Sequence, residues 1–424
     1  MKLSVDPISN LKGSVAIPGS KSQSVRALLV ATLAAGVSEI HCLPDSEDVN
    51  TALQVCRDLG ARVEKLTCHE NCQRVESEGA PLQPVKEKLW TGNSGITTRF
   101  VLPILGLCNK PMEVDAGEQM KKRPMALIQN LKDLGMSIDE AWPIRVSGQL
   151  KGGETMVDGL TSQYLSALLL SATYAESDVT LTVKDLNERP YVEMTLQWLR
   201  DLGTPFEHTH EGNADRFVVE AGHRYSPIQY FVPADFSSAS TLLAAGALIP
   251  GEVRLEGLAM HDLQGDRRLV EILKEMGADL SIEDRAIVLR GGKPLKGLAV
   301  DANDIPDLVP TLAVLGTQAS GKMEIVNVPQ ARFKETDRLH SMSDGLMKMG
   351  AKIEEKEDGL VVWQSALQGA EVHGYEDHRT IMALALAGLL AKGKTTVDTA
   401  EGLNKTYPLF GDHMNQLGAS LILQ

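Results

Sequence analysis

A Leu-Gly or Met-Gly pair closes an amphipathic helix six times along the chain, at Gly60, Gly135, Gly203, Gly277, Gly350 and Gly418. The intervals are 75, 68, 74, 73 and 68 residues. A near-constant period of this kind marks a chain built from stacked copies of one supersecondary unit. In the run from Leu269 to Met276, residues Leu269, Ile272, Leu273 and Met276 fall at i, i+3, i+4 and i+7, one apolar stripe of a surface helix. Gly277 then supplies the left-handed residue that ends a helix, and a short strand follows.

Each period carries a second helix of different character: Arg26 to Ala35, Thr97 to Leu107, Tyr164 to Ala172, Ser240 to Leu248, Leu308 to Gln318 and Thr380 to Ala391. These runs are small and apolar on nearly every face, so they are expected to be buried. A turn and a strand follow, as in Gly251 to Leu255 and Gly393 to Val397. The unit therefore reads strand, buried helix, strand, amphipathic helix, then one or two strands. Three units per domain place three buried helices at the centre with sheets around them. A break at residues 221–234 divides the six units into two groups of three. The expected domains are 20–232, and 1–19 with 233–424. Residues 2–6 join the second because the last unit otherwise lacks a strand.

Composition excludes several classes. A net charge of −14 argues against nucleic acid and anionic membranes as general partners, and 4% aromatics leaves little for base stacking. No apolar run reaches membrane-spanning length. Charged residues make up 23% and apolar residues 43%, as in ordinary globular proteins, and a cytoplasmic monomer is the expectation. The five cysteines are odd in number; Cys68-His69-Glu70-Asn71-Cys72 has the look of half a metal site, but no second pair follows, so no metal is expected.

The chemistry concentrates where buried helices begin. Before or at those starts stand Ser20-Lys21-Ser22 with Arg26, Asn93-Ser94-Gly95 with Arg99, Thr161-Ser162-Gln163, Asp235-Phe236-Ser237, Asp304-Ile305-Pro306-Asp307 and Asp377-His378-Arg379. Ser, Thr, Asn and Asp are ordinary cap residues. The cations are not: Lys21, Arg26, Arg99, His378 and Arg379 oppose the positive end of a helix dipole unless an anion lies between. A further stretch, Arg332-Phe333-Lys334-Glu335-Thr336-Asp337-Arg338, carries five charges ahead of a helix from Leu339 to Met349, with Thr336 or a neighbour as its cap. Cations and two carboxylates together suit an anionic reactant and a proton-transfer group.

Pro18-Gly19-Ser20-Lys21-Ser22, Gly92-Asn93-Ser94-Gly95, Lys121-Lys122-Arg123-Pro124, Gln264-Gly265-Asp266, Lys334-Glu335-Thr336-Asp337-Arg338 and Asp377-His378-Arg379 occur in this order. With these six motifs in register, the chain resembles the 5-enolpyruvylshikimate-3-phosphate synthases over essentially its full length. The resemblance implies a two-domain inside-out α/β, barrel-like fold of six βαβαββ repeats, with the active site in the cleft between the domains. It implies transfer of the enolpyruvyl group of phosphoenolpyruvate to the 5-hydroxyl of shikimate 3-phosphate, by addition and elimination through a tetrahedral ketal, with no cofactor. By motif match, Asp307 is the base toward the hydroxyl, Glu335 handles the methylene proton, and Lys21 touches both substrates. Shikimate 3-phosphate falls to Lys21, Ser22, Arg26, Thr161, Ser162, Gln163, Tyr191, Asp307 and Lys334. Phosphoenolpyruvate falls to Lys21, Gly95, Arg123, Gln163, Arg338, His378, Arg379 and Lys405.

The chain departs from the family pattern in places. Thr161 replaces a common Ser, and Gln330 a common Asn. Glu188 stands where many members have a Ser on the sugar phosphate; a carboxylate there repels phosphate unless Arg189 compensates, so Glu188 is left out of the site. Ile96 and Phe100 replace Thr and Pro beside Gly95, which leads to an expectation of reduced glyphosate sensitivity. Within the same fold the rival is UDP-N-acetylglucosamine enolpyruvyltransferase, which has Lys-Asn at the first motif and a loop cysteine that residues 112–124 lack. A non-catalytic anion-binding homologue and a structural repeat protein are the remaining alternatives.

Overall fold

The computed structural model describes residues 1–66 and 71–424. The Cys68-His69-Glu70 part of the metal-like stretch lies outside the described residues. The chain forms two compact units, residues 21–232 and residues 1–20 with 233–424.

The six nearly all-buried helices are α1 (Lys21–Leu33), α2 (Gly95–Leu105), α3 (Ser162–Ala172), α4 (Phe236–Leu248), α5 (Val309–Gln318) and α6 (His378–Leu390). In α2 and α4 every residue but the last of α4 is buried. All-round burial requires hydroxyls to find partners inside the helix. Thr32 donates to Leu28 O at 2.9 Å, Thr98 to Ser94 O at 2.7 Å and Thr317 to Val314 O at 2.7 Å. The helices of a unit run parallel. Arg26 of α1 reaches Ser166 of α3 and lies over Phe100 of α2, while at the other end Tyr174, just past α3, donates to Leu33 O of α1.

Six four-stranded sheets surround these helices, and all share one pattern: a parallel pair, then two antiparallel strands. In one, Gly153–Val157 runs parallel to Val179–Lys184, which is followed by Ala214–Val219 and Phe206–Glu211. The sheets are separate, so neither unit contains a closed barrel among the described residues. In the second unit the helices approach their sheets through glycine. A Cβ on Gly316 would lie 2.8 Å from Met323 Cβ, and one on Gly388 would lie 2.9 Å from Thr395 Cβ. Only hydrogen fits at that spacing.

The amphipathic helices cover the outside of each unit, for example Glu47–Asp58 and Arg268–Met276. All six repeat glycines past their ends have positive φ, from 70° at Gly203 to 105° at Gly60, so each is a left-handed helix stop. Strand Leu3–Val5 does join the last repeat, where it lies between Thr395–Val397 and Leu421–Leu423.

Two strand pairings depart from the repeat reading. Gly13–Ala16 precedes α1 in sequence yet belongs to the second unit, where it pairs with Gly251–Glu256. Gln229–Phe231 precedes α4 yet pairs with Gly36–His41 of the first repeat. Within each unit, the first repeat is thus completed by a segment far away in sequence. Five of these six buried helices also begin earlier than the apolar pattern implies, for example at Lys21 rather than Arg26 and at Phe236 rather than Ser240. The polar first turn is part of the helix because its side chains bond locally or face a site.

Candidate active site

In residues 21–232, the helix starts of α1, α2 and α3 assemble the first group. Thr161 is the N-cap of α3, its hydroxyl accepting from Gln163 N at 3.4 Å. Gln163 Oε1 accepts from Arg99 Nη1 at 2.7 Å, and Arg99 also donates to Pro124 O at 2.9 Å. Arg26 is 2% exposed. It donates to Thr195 Oγ1, Ser22 O, Ser166 Oγ and Tyr191 O at 2.9, 2.9, 3.4 and 3.0 Å, and its guanidinium lies 5.0 Å from the Phe100 ring centre. Burial lowers its pKa to about 10. A guanidinium has five N–H groups, so these four bonds leave one Nη1 hydrogen for a ligand.

Lys21 faces Asp48, with Nζ 3.2 Å from Oδ2. Gly95 opens α2 against Arg123, and a Cβ there would lie 2.5 Å from Arg123 Nη1. The glycine therefore sets where that guanidinium can sit. Ser94 caps α2 through Thr97 N. Tyr191 lies in the first turn of helix Arg189–Asp201, where its carbonyl anchors Arg26.

Glu188, excluded on sequence, is held in this group. Its Oε2 accepts from Thr161 Oγ1, Ser162 N and Ser162 Oγ at 3.1, 3.0 and 2.7 Å. The helix N-terminus and two hydroxyls supply this carboxylate's partners directly. Arg189 turns its Nη2 to Asp215 at 2.8 Å.

In residues 1–20 and 233–424 the second group is ionic. Arg338, 1% exposed, donates to Asp377 Oδ2 at 2.8 Å, Asp307 Oδ1 at 2.6 Å and Glu335 Oε2 at 2.8 Å. Arg379 Nη2 lies 3.4 Å from Asp307 Oδ2, and Lys405 Nζ lies 3.5 Å from Glu335 Oε1. Two further nitrogens of Arg379, Nε and Nη1, are buried without a hydrogen-bond partner among the described residues. Guanidinium nitrogens of that kind suit a carboxylate or phosphate.

Asp307 is not a helix cap. It lies in the 3₁₀ turn Pro306–Leu308, and its carboxylate bridges Arg338 and Arg379. Burial pushes its pKa up, but the charges of Arg338, Arg379 and Lys334 outweigh that and hold it well below the usual carboxylate range. Arg338 is shifted up: burial opposes its charge, and Asp377, Asp307 and Glu335 more than restore it. The helix Arg338–Lys348 is capped by Asp337, which accepts from His340 N at 3.0 Å, rather than by Thr336. Arg332 bonds Asp337 and Glu355 and so belongs to the scaffold. His378 opens α6 beside Asp377, 3.5 Å away.

Three carboxylates of these groups were not assigned from sequence. Asp48 sets Lys21. Asp377 grips Arg338 and accepts from Arg379 N at 2.9 Å. Asp266 is fully buried, accepts a hydrogen bond from Ser237 Oγ, and has a pKa pushed up to about 7 by burial and then by the charge of Asp307. The motifs around Asp266 and Asp377 were visible, but their partners lie tens of residues away. Gln330 is buried and donates to Asn303 O at 2.8 Å, bracing the loop that leads to Asp307.

The EPSP synthase (3-phosphoshikimate 1-carboxyvinyltransferase) family profile matches residues 5–414. The 3-phosphoshikimate 1-carboxyvinyltransferase of Acetivibrio thermocellus is 41% identical over 419 residues, covering 97% of each chain. That of Methanococcoides burtonii is 40% identical over 425 residues, covering 98% of each. A crystal structure of EPSP synthase from Acinetobacter baumannii superposes with a TM-score of 0.83 at 26% identity, covering 99% of each chain. The enolpyruvyl transferase NikO from Streptomyces tendae, at 19% identity and TM-score 0.79 over 99% of this chain and 98% of that one, shares the fold. With its six repeats, its two charged groups and these relatives together, the chain belongs to the EPSP synthase family.

Proposed function

We propose that this chain is a 3-phosphoshikimate 1-carboxyvinyltransferase, moving the enolpyruvyl group of phosphoenolpyruvate onto the 5-hydroxyl of shikimate 3-phosphate with release of phosphate. The observation that carries the reading is the Asp307–Arg338–Arg379 cluster flanked by Glu335 and Lys405. It joins cations for an anionic reactant to two carboxylates for proton transfer.

Asp307 takes the proton of the attacking hydroxyl. Paired with two guanidiniums it is a weak base. An anionic substrate on Arg338 and Arg379 draws off their charge and raises the Asp307 pKa, so base strength arrives with phosphoenolpyruvate. Glu335, set by Arg338 and Lys405, gives a proton to the enol methylene and takes one back on elimination. Lys21, Arg123, Arg379 and Lys405 neutralise carboxylate and phosphate. Ser22, Arg26, Thr161, Ser162, Gln163, Tyr191 and Lys334 hold the acceptor, while Gly95, Arg338 and His378 complete the phosphoenolpyruvate side.

Both units then serve the same pair of substrates, and shikimate 3-phosphate is expected to lower the radius of gyration in small-angle scattering. The protein works as a cytoplasmic monomer. Ile96 and Phe100, both buried, weaken glyphosate inhibition; an inhibition constant in the range of sensitive bacterial enzymes would count against that. Phosphate release from phosphoenolpyruvate tests the whole reading. It should require shikimate 3-phosphate and collapse in Asp307→Ala. Release that survives in the variant moves the base to Glu335 or Lys21; no release with that acceptor overturns the reading.

A further inference from the structure

We infer that Glu188 is a built-in anion that occupies the seat of the acceptor's phosphate, so that it sets acceptor affinity and selects acceptors able to displace it. This rests on the acceptor reading above. The carboxylate takes the first free N–H of α3 and two hydroxyls, all on one oxygen, Oε2. A phosphate oxygen at a helix N-terminus calls on the same kind of donors. Each of these three donors carries one hydrogen, so the carboxylate and a phosphate cannot share them.

The placement is enforced by the fold. Glu188 is 2% exposed and has φ +58°, a left-handed backbone that is uncommon for Glu. Pro190 follows within the first turn of helix Arg189–Asp201, which fixes the direction in which the chain leaves. Close by, Asp215 collects Arg189, His208 and His210 at 2.8, 2.9 and 3.0 Å, so part of the adjacent positive charge is directed away from Glu188. The seat is therefore filled before any substrate arrives. An acceptor binds only the fraction of molecules whose carboxylate has left, and its apparent affinity falls by that fraction. A phosphate dianion with several oxygens displaces one carboxylate; a neutral hydroxyl does not, and that difference is the selectivity.

The test compares wild type, Glu188→Ser and Glu188→Gln with shikimate 3-phosphate, phosphoenolpyruvate and inorganic phosphate. Glu188→Ser should lower KM for shikimate 3-phosphate by roughly tenfold, leaving KM for phosphoenolpyruvate in place. It should also enlarge the Tm shift produced by inorganic phosphate. Glu188→Gln keeps an acceptor oxygen but no charge, so it should fall between the two. This near-isosteric change also carries the test if the serine variant fails to fold. A KM for shikimate 3-phosphate that is unchanged or raised in the folded variants overturns the proposal while the activity stands. A wild type that turns over shikimate, and not its 3-phosphate, overturns the acceptor reading itself.

Discussion

The same βαβαββ unit, used three times in each half of the chain, produces two different kinds of anion chemistry. Residues 21–232 present a helix N-terminus and hydroxyls, beside guanidiniums such as Arg26 and Arg99 whose bonds go to uncharged oxygens. Residues 233–424 present an ion network, in which one buried guanidinium touches three carboxylates. The difference teaches what the fold contributes and what it leaves to the side chains. The repeat supplies buried helices that start together. Whether those starts act as dipoles or as charges depends on a few residues, here Thr161, Ser162 and Ser166 on one side and Asp307, Glu335 and Asp377 on the other.

Replacing the central guanidinium on each side breaks the comparison most directly. Arg338→Met leaves three carboxylates without their shared partner, and removing one member of a buried charge network costs about 3–5 kcal/mol. Arg26→Met leaves only neutral acceptors, for which about 1–3 kcal/mol is expected. Urea midpoints should separate the variants accordingly; equal losses would mean that the two halves do not differ in kind.

The next effect is in pH. Asp266 has a folded pKa of about 7 and an ordinary value of 3.8 when unfolded. The folded state therefore holds the extra proton between about pH 4 and 7, and the stability from this group is lost as pH rises through 7. Asp307 runs the other way: its depressed pKa adds stability above about pH 4 that is lost on acidification. Asp266→Asn should flatten the decline between pH 4 and 8, recovering on the order of 2–4 kcal/mol relative to wild type at pH 8. An unchanged pH profile would remove Asp266 from the network.

Gly95→Ala is smaller. The added Cβ meets the far end of the flexible Arg123 side chain rather than backbone, so the guanidinium shifts and folding is kept. KM for phosphoenolpyruvate should rise by roughly tenfold, about 1.4 kcal/mol. A KM within twofold of wild type would show that the Arg123 position is not limiting.

These contrasts also mark how far the sequence could be read. Period, glycine stops and all-apolar helices are local signals, so the six repeats and the place of Leu3–Val5 were legible. The pairings of Gly13–Ala16 and Gln229–Phe231 were not, because each strand looks like the lead of the helix that follows it and its partner lies in another repeat. Site cations stood out because they oppose a helix dipole. Buried carboxylates such as Asp48 and Asp377 look like any cap or surface acid until the partner is brought near. The contacts of Glu188 were hidden for a related reason. Repulsion from a phosphate can be argued from sequence, whereas three donors converging on one oxygen cannot.

Phe100 gives the finest division between the halves. Its ring lies under the Arg26 guanidinium in the group whose guanidiniums bond uncharged oxygens, and a cation over an aromatic face contributes about 0.5–2 kcal/mol as desolvation increases. Phe100→Leu keeps the site apolar and nearly the same size while removing the ring's negative face. Arg26 would keep its four hydrogen bonds but lose its platform, so its remaining Nη1 hydrogen would be held less firmly toward the acceptor. KM for shikimate 3-phosphate should rise by roughly two- to fivefold, with KM for phosphoenolpyruvate and the urea midpoint of Arg338 variants unaffected. An equal rise in both KM values would mean that Phe100 acts by tilting α2 and Gly95 with it, and the ring would then belong to the phosphoenolpyruvate side.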